Sequence, residues 1–141
     1  MTKRILILGS SSFSGASTVN YLLNKNRYKI FGTYRKKKRN SYLPFKFNKK
    51  NKDFKQYKVD LLKNSNNLIN IIKKIKPEVI IDFASICMVN ESWKNSNIYF
   101  QINVLSKTKM IEFLNNSKYL KKYIYISTPE IFGSSKKYID E

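Results

Sequence analysis

The sequence predicts an α/β fold: a doubly wound parallel sheet of five strands in the order 3-2-1-4-5, with helices on both faces. Three observations carry this reading. Short, branched apolar runs such as Ile5–Leu8 and Val79–Phe83 have the character of strands buried on both sides. They alternate with segments that carry helical stripes, the pattern that folds as right-handed βαβ units. Between the first run and the first stripe stands a turn of small residues, Gly9-Ser10-Ser11-Ser12-Phe13-Ser14-Gly15.

Taken in order, strand one is Arg4–Leu8, and Gly9 ends it. Its helix runs from about Ser14 to Asn24, with Val19, Leu22 and Leu23 at helical spacing. Strand two is Lys29–Thr33. A basic, aperiodic loop follows from Arg35 to about Lys52 and includes Pro44. Strand three covers about Phe54–Val59. Leu68, Ile71, Ile72 and Ile75 recur as i, i+3, i+4, i+7 and predict a one-sided helix over Asn66–Lys76, stopped by Pro77. Strand four is Val79–Phe83. A loop, Ala84–Lys94, leads into a helix over Ser96–Asn115 whose apolar side is built from Ile102, Leu105, Ile111, Phe113 and Leu114. Strand five is Tyr123–Ser127, and the polar end Ser134–Glu141 is expected to fray. No repeat or second domain is visible, so residues 1–141 are read as one domain.

Composition bounds the function. A chain of 141 residues with 42% hydrophobic residues is long enough to bury a core. No apolar run reaches the roughly 18 residues of a membrane span, and the N-terminus enters a strand at once, so neither a membrane segment nor a signal peptide is expected. A lone Cys87 excludes an internal disulfide and fits a reducing, cytoplasmic compartment. The absence of histidine removes imidazole catalysis and histidine–metal sites, and no metal-ligand cluster is present. The net charge of +19 admits a polyanionic partner such as nucleic acid. The preferred account is compositional, because Lys, Asn and Ile, whose codons are rich in A and T, are used throughout and the lysines do not align on one face.

The residues at the C-terminal ends of the strands carry the chemistry. The turn Gly9-x-x-Ser12-x-x-Gly15 places free amides and the positive end of a helix dipole at one point, which suits a pyrophosphate; the same strand–turn–helix also occurs with no ligand. Ser11, Ser12 and Phe13 would line that cradle. Ser12 carries a Cβ where closer backbone approach is usual, and its hydroxyl can offset this by donating a hydrogen bond. Strand two ends Gly32-Thr33-Tyr34-Arg35-Lys36 with no acidic residue to bind a ribose 2′-hydroxyl. Arg35 would instead pair with a 2′-phosphate, so NADP is expected over NAD; otherwise this is a solvated basic loop. Asp60-Leu61 can accept from an adenine amino group and pack on its ring, or Asp60 can simply cap the next segment. Phe83, Ala84 and Ser85 give strand four a small-residue edge. Asp82 is either part of that edge or a buried polar group satisfied by neighbours. After strand five, Ser127-Thr128-Pro129-Glu130 offers two hydroxyls and a carboxylate: Thr128 could polarise a substrate oxygen and Glu130 could act as acid or base, or the stretch is a solvated turn.

Together these features resemble the N-terminal half of the extended short-chain dehydrogenases/reductases, the NAD(P)-dependent nucleotide-sugar epimerase/dehydratase family, whose cofactor domain is a Rossmann-type sheet. The family's glycine loop is similar to Gly9–Gly15, its Asp-Leu adenine contact to Asp60-Leu61, and its strand-four edge to Phe83-Ala84-Ser85. A helix asparagine of the family corresponds to Asn103. Its Ser-(Ser/Thr)-x-Glu-(Val/Ile)-(Tyr/Phe)-Gly segment resembles Ser127–Gly133. The resemblance implies Thr128 as the catalytic hydroxyl and Glu130 as the glutamate of the 4,6-dehydratases. Arg35 is similar to the NADP-binding residue of the GDP-mannose 4,6-dehydratases. It further implies a nucleotide-sugar substrate and, in a full-length form, a possible homodimer.

The family's Tyr-x-x-x-Lys would follow strand five on a helix. Here that spacing occurs only upstream, at Tyr21–Lys25, Tyr34–Lys38 and Tyr42–Lys46. The sequence is therefore expected to be a truncated cofactor-binding part, without the substrate domain and inactive alone. Two other functions stay open: a non-catalytic NAD(P) sensor on the same fold, and a basic nucleic-acid-binding domain, which lacks a recognisable motif.

Overall fold

The chain places β1 (Lys3–Leu8), β2 (Tyr28–Tyr34), β3 (Phe54–Lys58), β4 (Val79–Asp82) and β5 (Lys122–Tyr125) in one sheet, order β3-β2-β1-β4-β5, every pair parallel. This is the expected Rossmann-type order. The computed structural model describes residues 2–36 and 42–135, apart from the side chains of Pro129 and Glu130. Strand order reverses at β1, whose neighbours are β2 and β4. The crevice at such a reversal, outside the carboxyl ends of the strands, is where open α/β sheets take ligands.

Alternation along β1 divides the core. Ile5 and Ile7 face one side with Ala16, Val19 and Leu23 of helix α1 (Phe13–Asn24). Leu6 and Leu8 face the other with Leu68, Ile71, Ile72 and Ile75 of α2 (Ser65–Ile75), the predicted stripe. α2 ends where Lys76 turns left-handed (φ 49°) and donates its amide to the Ile72 carbonyl at 2.8 Å. The α conformation is disfavoured before Pro77, so the reversal falls one residue ahead of the proline.

Three expectations are corrected. First, the loop read as basic and aperiodic holds regular turns. Short 3-10 turns span Pro44–Phe47 and Asn51–Asp53, and Leu43 and Phe45 are buried, with Phe45 edge-on to Phe54 at 5.0 Å. Residues 37–41 of the loop lie outside the described residues.

Second, the segment read as the loop Ala84–Lys94 contains a helix, α3 (Val89–Lys94). It buries none of its residues, so it has no stripe to read.

Third, the long helix is broken into α4 (Ser96–Phe100), a π-helical turn Gln101–Leu105, and α5 (Ser106–Asn115). The wider turn advances the phase. Ile102, Ser106, Lys107, Met110 and Leu114 point inward, whereas Leu105 and Ile111, expected on the apolar side, are exposed. The terminal residues 136–141 lie outside the described residues.

Candidate functional site

The Gly9 turn is shaped by contacts only glycine allows. Gly9 adopts φ +72°, and a Cβ there would stand 3.0 Å from the Phe83 carbonyl carbon and oxygen. A Cβ on Gly15 would come within 2.4 Å of the Gly9 carbonyl oxygen. The helix start thus lies directly on the strand end. Ser12 is the N-cap: its Oγ accepts from the Gly15 amide at 3.1 Å, and its carbonyl accepts from Ala16 at 2.9 Å. Of the amides that a helix leaves without an internal partner, those of Phe13 and Ser14 remain for a ligand. The Phe13 side chain is 91% exposed and does not line the pocket described below.

Residues that sequence reasoning did not single out hold this turn. Ser10 is fully buried; its amide (2.8 Å) and hydroxyl (2.9 Å) both donate to the Thr33 carbonyl. Thr33 Oγ1 in turn accepts from the Gly9 amide at 3.1 Å. Gln56, on β3, donates to Ser10 Oγ at 2.9 Å and to Ser11 Oγ at 3.4 Å. The cradle is therefore tied to two neighbouring strands. Polar residues in the second half of β2 and in β3 were the available signal.

Nine of the twelve residues expected to contact a cofactor come together around one open pocket of about 310 Å³ at the strand-order reversal: Gly9, Ser11 and Ser12, Arg35, Asp60 and Leu61, and Phe83, Ala84 and Ser85. Lys36 joins Arg35 on its wall. Phe13, Gly15 and Asn103 are not among the lining residues. Asn103 acts on the loop: its Oδ1 accepts from the Ile86 amide at 3.0 Å and its Nδ2 donates to the Ile86 carbonyl at 2.8 Å. Asp60 does cap its segment, since Oδ1 accepts from the amides of Leu62 (3.1 Å) and Lys63 (3.3 Å), and it also borders the pocket.

Thr128 is exposed just past β5 and is not in the pocket lining. Glu130 falls in the short turn Pro129–Phe132, with its side chain outside the described residues.

Asp82 is the buried polar group that the sequence left as one of two options. Its Oδ1 accepts from the Ala84 amide (2.8 Å); its Oδ2 accepts from Lys107 Nζ (2.6 Å) and from the Tyr123 hydroxyl (2.8 Å). Lys107 Nζ also donates to the Ala84 carbonyl at 2.8 Å. Burial pulls the Lys107 ammonium below its ordinary pKa, and the Asp82 carboxylate opposes that pull. Burial, then the same carboxylate, pushes the Tyr123 phenol far up.

A parallel sheet reversing at β1, with a glycine-shaped turn, two unspent helix amides and a basic strand-two end around one crevice, defines a Rossmann-type α/β domain of the dinucleotide-binding class. The chain belongs to the GDP-mannose 4,6-dehydratase family, whose model matches residues 6–141. This places it among the nucleotide-sugar epimerases and dehydratases of the extended short-chain dehydrogenase/reductase family. It is 33% identical over 133 residues to a dTDP-D-glucose 4,6-dehydratase of Dictyostelium discoideum, covering 94% of this chain and 30% of that one. It is 34% identical over 140 residues to the bifunctional polymyxin resistance protein ArnA of Wigglesworthia glossinidia brevipalpis, covering 99% and 20%. The chain thus spans under a third of the length of either relative. Its fold is similar to the UDP-Glc/GlcNAc 4-epimerase of Campylobacter jejuni (TM-score 0.80, 24% identity, covering 96% of this chain and 40% of that one). It is also similar to the UDP-glucose 4-epimerase of Bifidobacterium longum, solved in complex with NAD+ and UDP (TM-score 0.79, 22% identity, covering 96% and 40%). Among the described residues, no helix is long and apolar enough to cross a membrane.

Proposed function

We propose that this chain is the cofactor-binding part of an NAD(P)-dependent nucleotide-sugar epimerase or 4,6-dehydratase, and that it takes NADP in preference to NAD. The observation that carries the reading is the pocket itself: the Gly9–Ser12 turn, Arg35, Asp60 and the Phe83–Ser85 edge, four separate stretches of sequence, line one crevice.

The residues suit a dinucleotide. Gly9 and Gly15 let the strand end and the helix start pack backbone against backbone, and the Phe13 and Ser14 amides sit at the positive end of a twelve-residue helix, where a diphosphate is stabilised. Arg35 meets a ribose 2′-phosphate as a planar, permanently charged donor, and no carboxylate at the end of β2 favours a bare 2′-hydroxyl. Leu61 offers an apolar surface to adenine, beside the Asp60 carboxylate.

When bound, the nicotinamide would supply a reversible hydride acceptor for a sugar carbon. The chain's own share is to hold that ring's partner groups, with Thr128 donating a hydrogen bond to a sugar oxygen and Glu130 moving a proton as acid or base. We propose that these residues alone turn over no nucleotide sugar, in keeping with the fraction of the relatives' length that they span.

Titration calorimetry with NADPH and NADH tests the binding half. NADPH is expected to bind more tightly, and no heat from either ligand at millimolar concentration on folded protein rejects the assignment. Incubation with UDP-, GDP- and dTDP-hexoses in the presence of NADP+ and NAD+ tests the second half, where clear turnover rejects inactivity.

A further inference from the structure

A buried ion pair lies directly beneath the strand-four edge of the pocket. Asp82 is fully buried and the Lys107 side chain is 7% exposed. Such a pair is a poor stabiliser, because desolvation offsets most of its attraction. Its hydrogen bonds show what else it does. Asp82 Oδ1 takes the Ala84 amide and Lys107 Nζ takes the Ala84 carbonyl, so both backbone polar groups of that residue are fixed by one pair. The opposite side of the same backbone carries Gly9, whose Cβ position is 3.1 Å from the Ala84 nitrogen. One helical turn before Lys107, Asn103 fixes both polar groups of Ile86. The π-helical turn Gln101–Leu105 brings this stretch of the helix to face residues 84–86. Tyr123 holds Asp82 from β5, and Lys107 Nζ lies 5.7 Å from the Tyr125 ring.

We propose that Lys107 is a positioning residue of the dinucleotide site: paired with Asp82, it sets the height of the Phe83–Ser85 edge against the Gly9 turn. The inference rests on the dinucleotide reading above. It predicts a local effect. The edge of β4 stands two strands from the end of β2 that Arg35 follows, about 10 Å across the sheet at ordinary strand spacing. A ligand confined to the Arg35–Asp60 end does not depend on it, whereas one that crosses the Gly9 turn does.

The test compares NADPH with adenosine 2′-monophosphate on the full chain by calorimetry. Lys107→Met alone strands a buried carboxylate and is expected to unfold. The pair D82N/K107M removes both charges at nearly constant volume and is expected to keep a cooperative melt at or above the wild-type temperature. In that variant NADPH affinity should fall about tenfold, the worth of one buried hydrogen bond, with the monophosphate held within about twofold. Equal loss of both ligands, or unchanged NADPH affinity, overturns the positioning role. Failure of the double variant to fold overturns it too, by making the pair a structural requirement. Wild-type protein that binds neither ligand overturns the dinucleotide reading itself, and this inference falls with it.

Discussion

Gly9 rests on the peptide that follows Phe83: a Cβ at Gly9 would lie 3.0 Å from the Phe83 carbonyl carbon and oxygen, with φ already at +72°. The end of β1 and the end of β4 are therefore in backbone contact across the strand-order reversal. Gly9→Ala has no conformation free of both penalties. A left-handed alanine costs roughly 1–2 kcal/mol before any clash, and the clash is with backbone that cannot rotate away. Urea denaturation should show a loss of about 2 kcal/mol or more, and NADPH titration should show weakened binding in whatever folded fraction remains.

Ser12 separates stability from recognition. As N-cap it accepts the Gly15 amide, so Ser12→Ala should cost about 1 kcal/mol in a urea melt. Ser12→Asp restores an acceptor and adds a charge that the helix dipole favours, so its melt should match the wild type. That carboxylate stands where a diphosphate would sit, and NADPH affinity should fall sharply. An Asp variant that binds NADPH as well as Ser does would mean that no anion occupies the turn.

Strand order, the α2 stripe and the Gly9 turn are local patterns, visible because spacing along the chain encodes them. The rest depends on contacts that form only when the sheet assembles. Asp82 meets Lys107 across 25 positions and Tyr123 across 41, and Lys107 is one of 28 basic residues with no local mark to distinguish it. Ser10 of the turn, Thr33 of β2 and Gln56 of β3 find one another only when the sheet is in register. The long helix over 96–115 could not be phased from a 3.6-residue period, because a π-helical turn shifts Leu105 and Ile111 to the surface. Phe45 was hidden in the opposite way: a single buried aromatic in a polar, basic loop makes no pattern.

Tyr123 provides a test through pH. Burial and the Asp82 carboxylate hold its phenol protonated in the folded chain well above the ordinary value of 10.0. Below about pH 10 the folded and unfolded phenols are both neutral and the stabilisation is complete. Above it the unfolded chain releases a proton that the folded chain retains, so stability falls as pH rises. Tyr123→Phe removes this term while leaving Asp82 its bonds to Lys107 and Ala84. Urea melts from pH 8 to 11 should show a shallower alkaline decline for the variant. Parallel curves would mean that the phenol is not held as the geometry describes.

Arg35 decides the cofactor. It stands exposed at the end of β2, on the wall of the pocket and beside Lys36. With a net charge of +19, the chain attracts any anion at low ionic strength, so a drop in affinity on removing one arginine proves little by itself. Two controls isolate the contact. At about 150 mM salt, screening reduces long-range attraction to within roughly 8 Å. NADH matches NADPH in every group except the 2′-phosphate. Under those conditions Arg35→Ala should cost NADPH about 1.5–3 kcal/mol, the range for a hydrogen bond to a charged group, and leave NADH within about twofold. Arg35→Glu should reverse the order, because a carboxylate repels the 2′-phosphate and accepts from a 2′-hydroxyl. If both ligands weaken together, Arg35 contributes only general attraction, and the preference for NADP has to be sought elsewhere on the pocket wall.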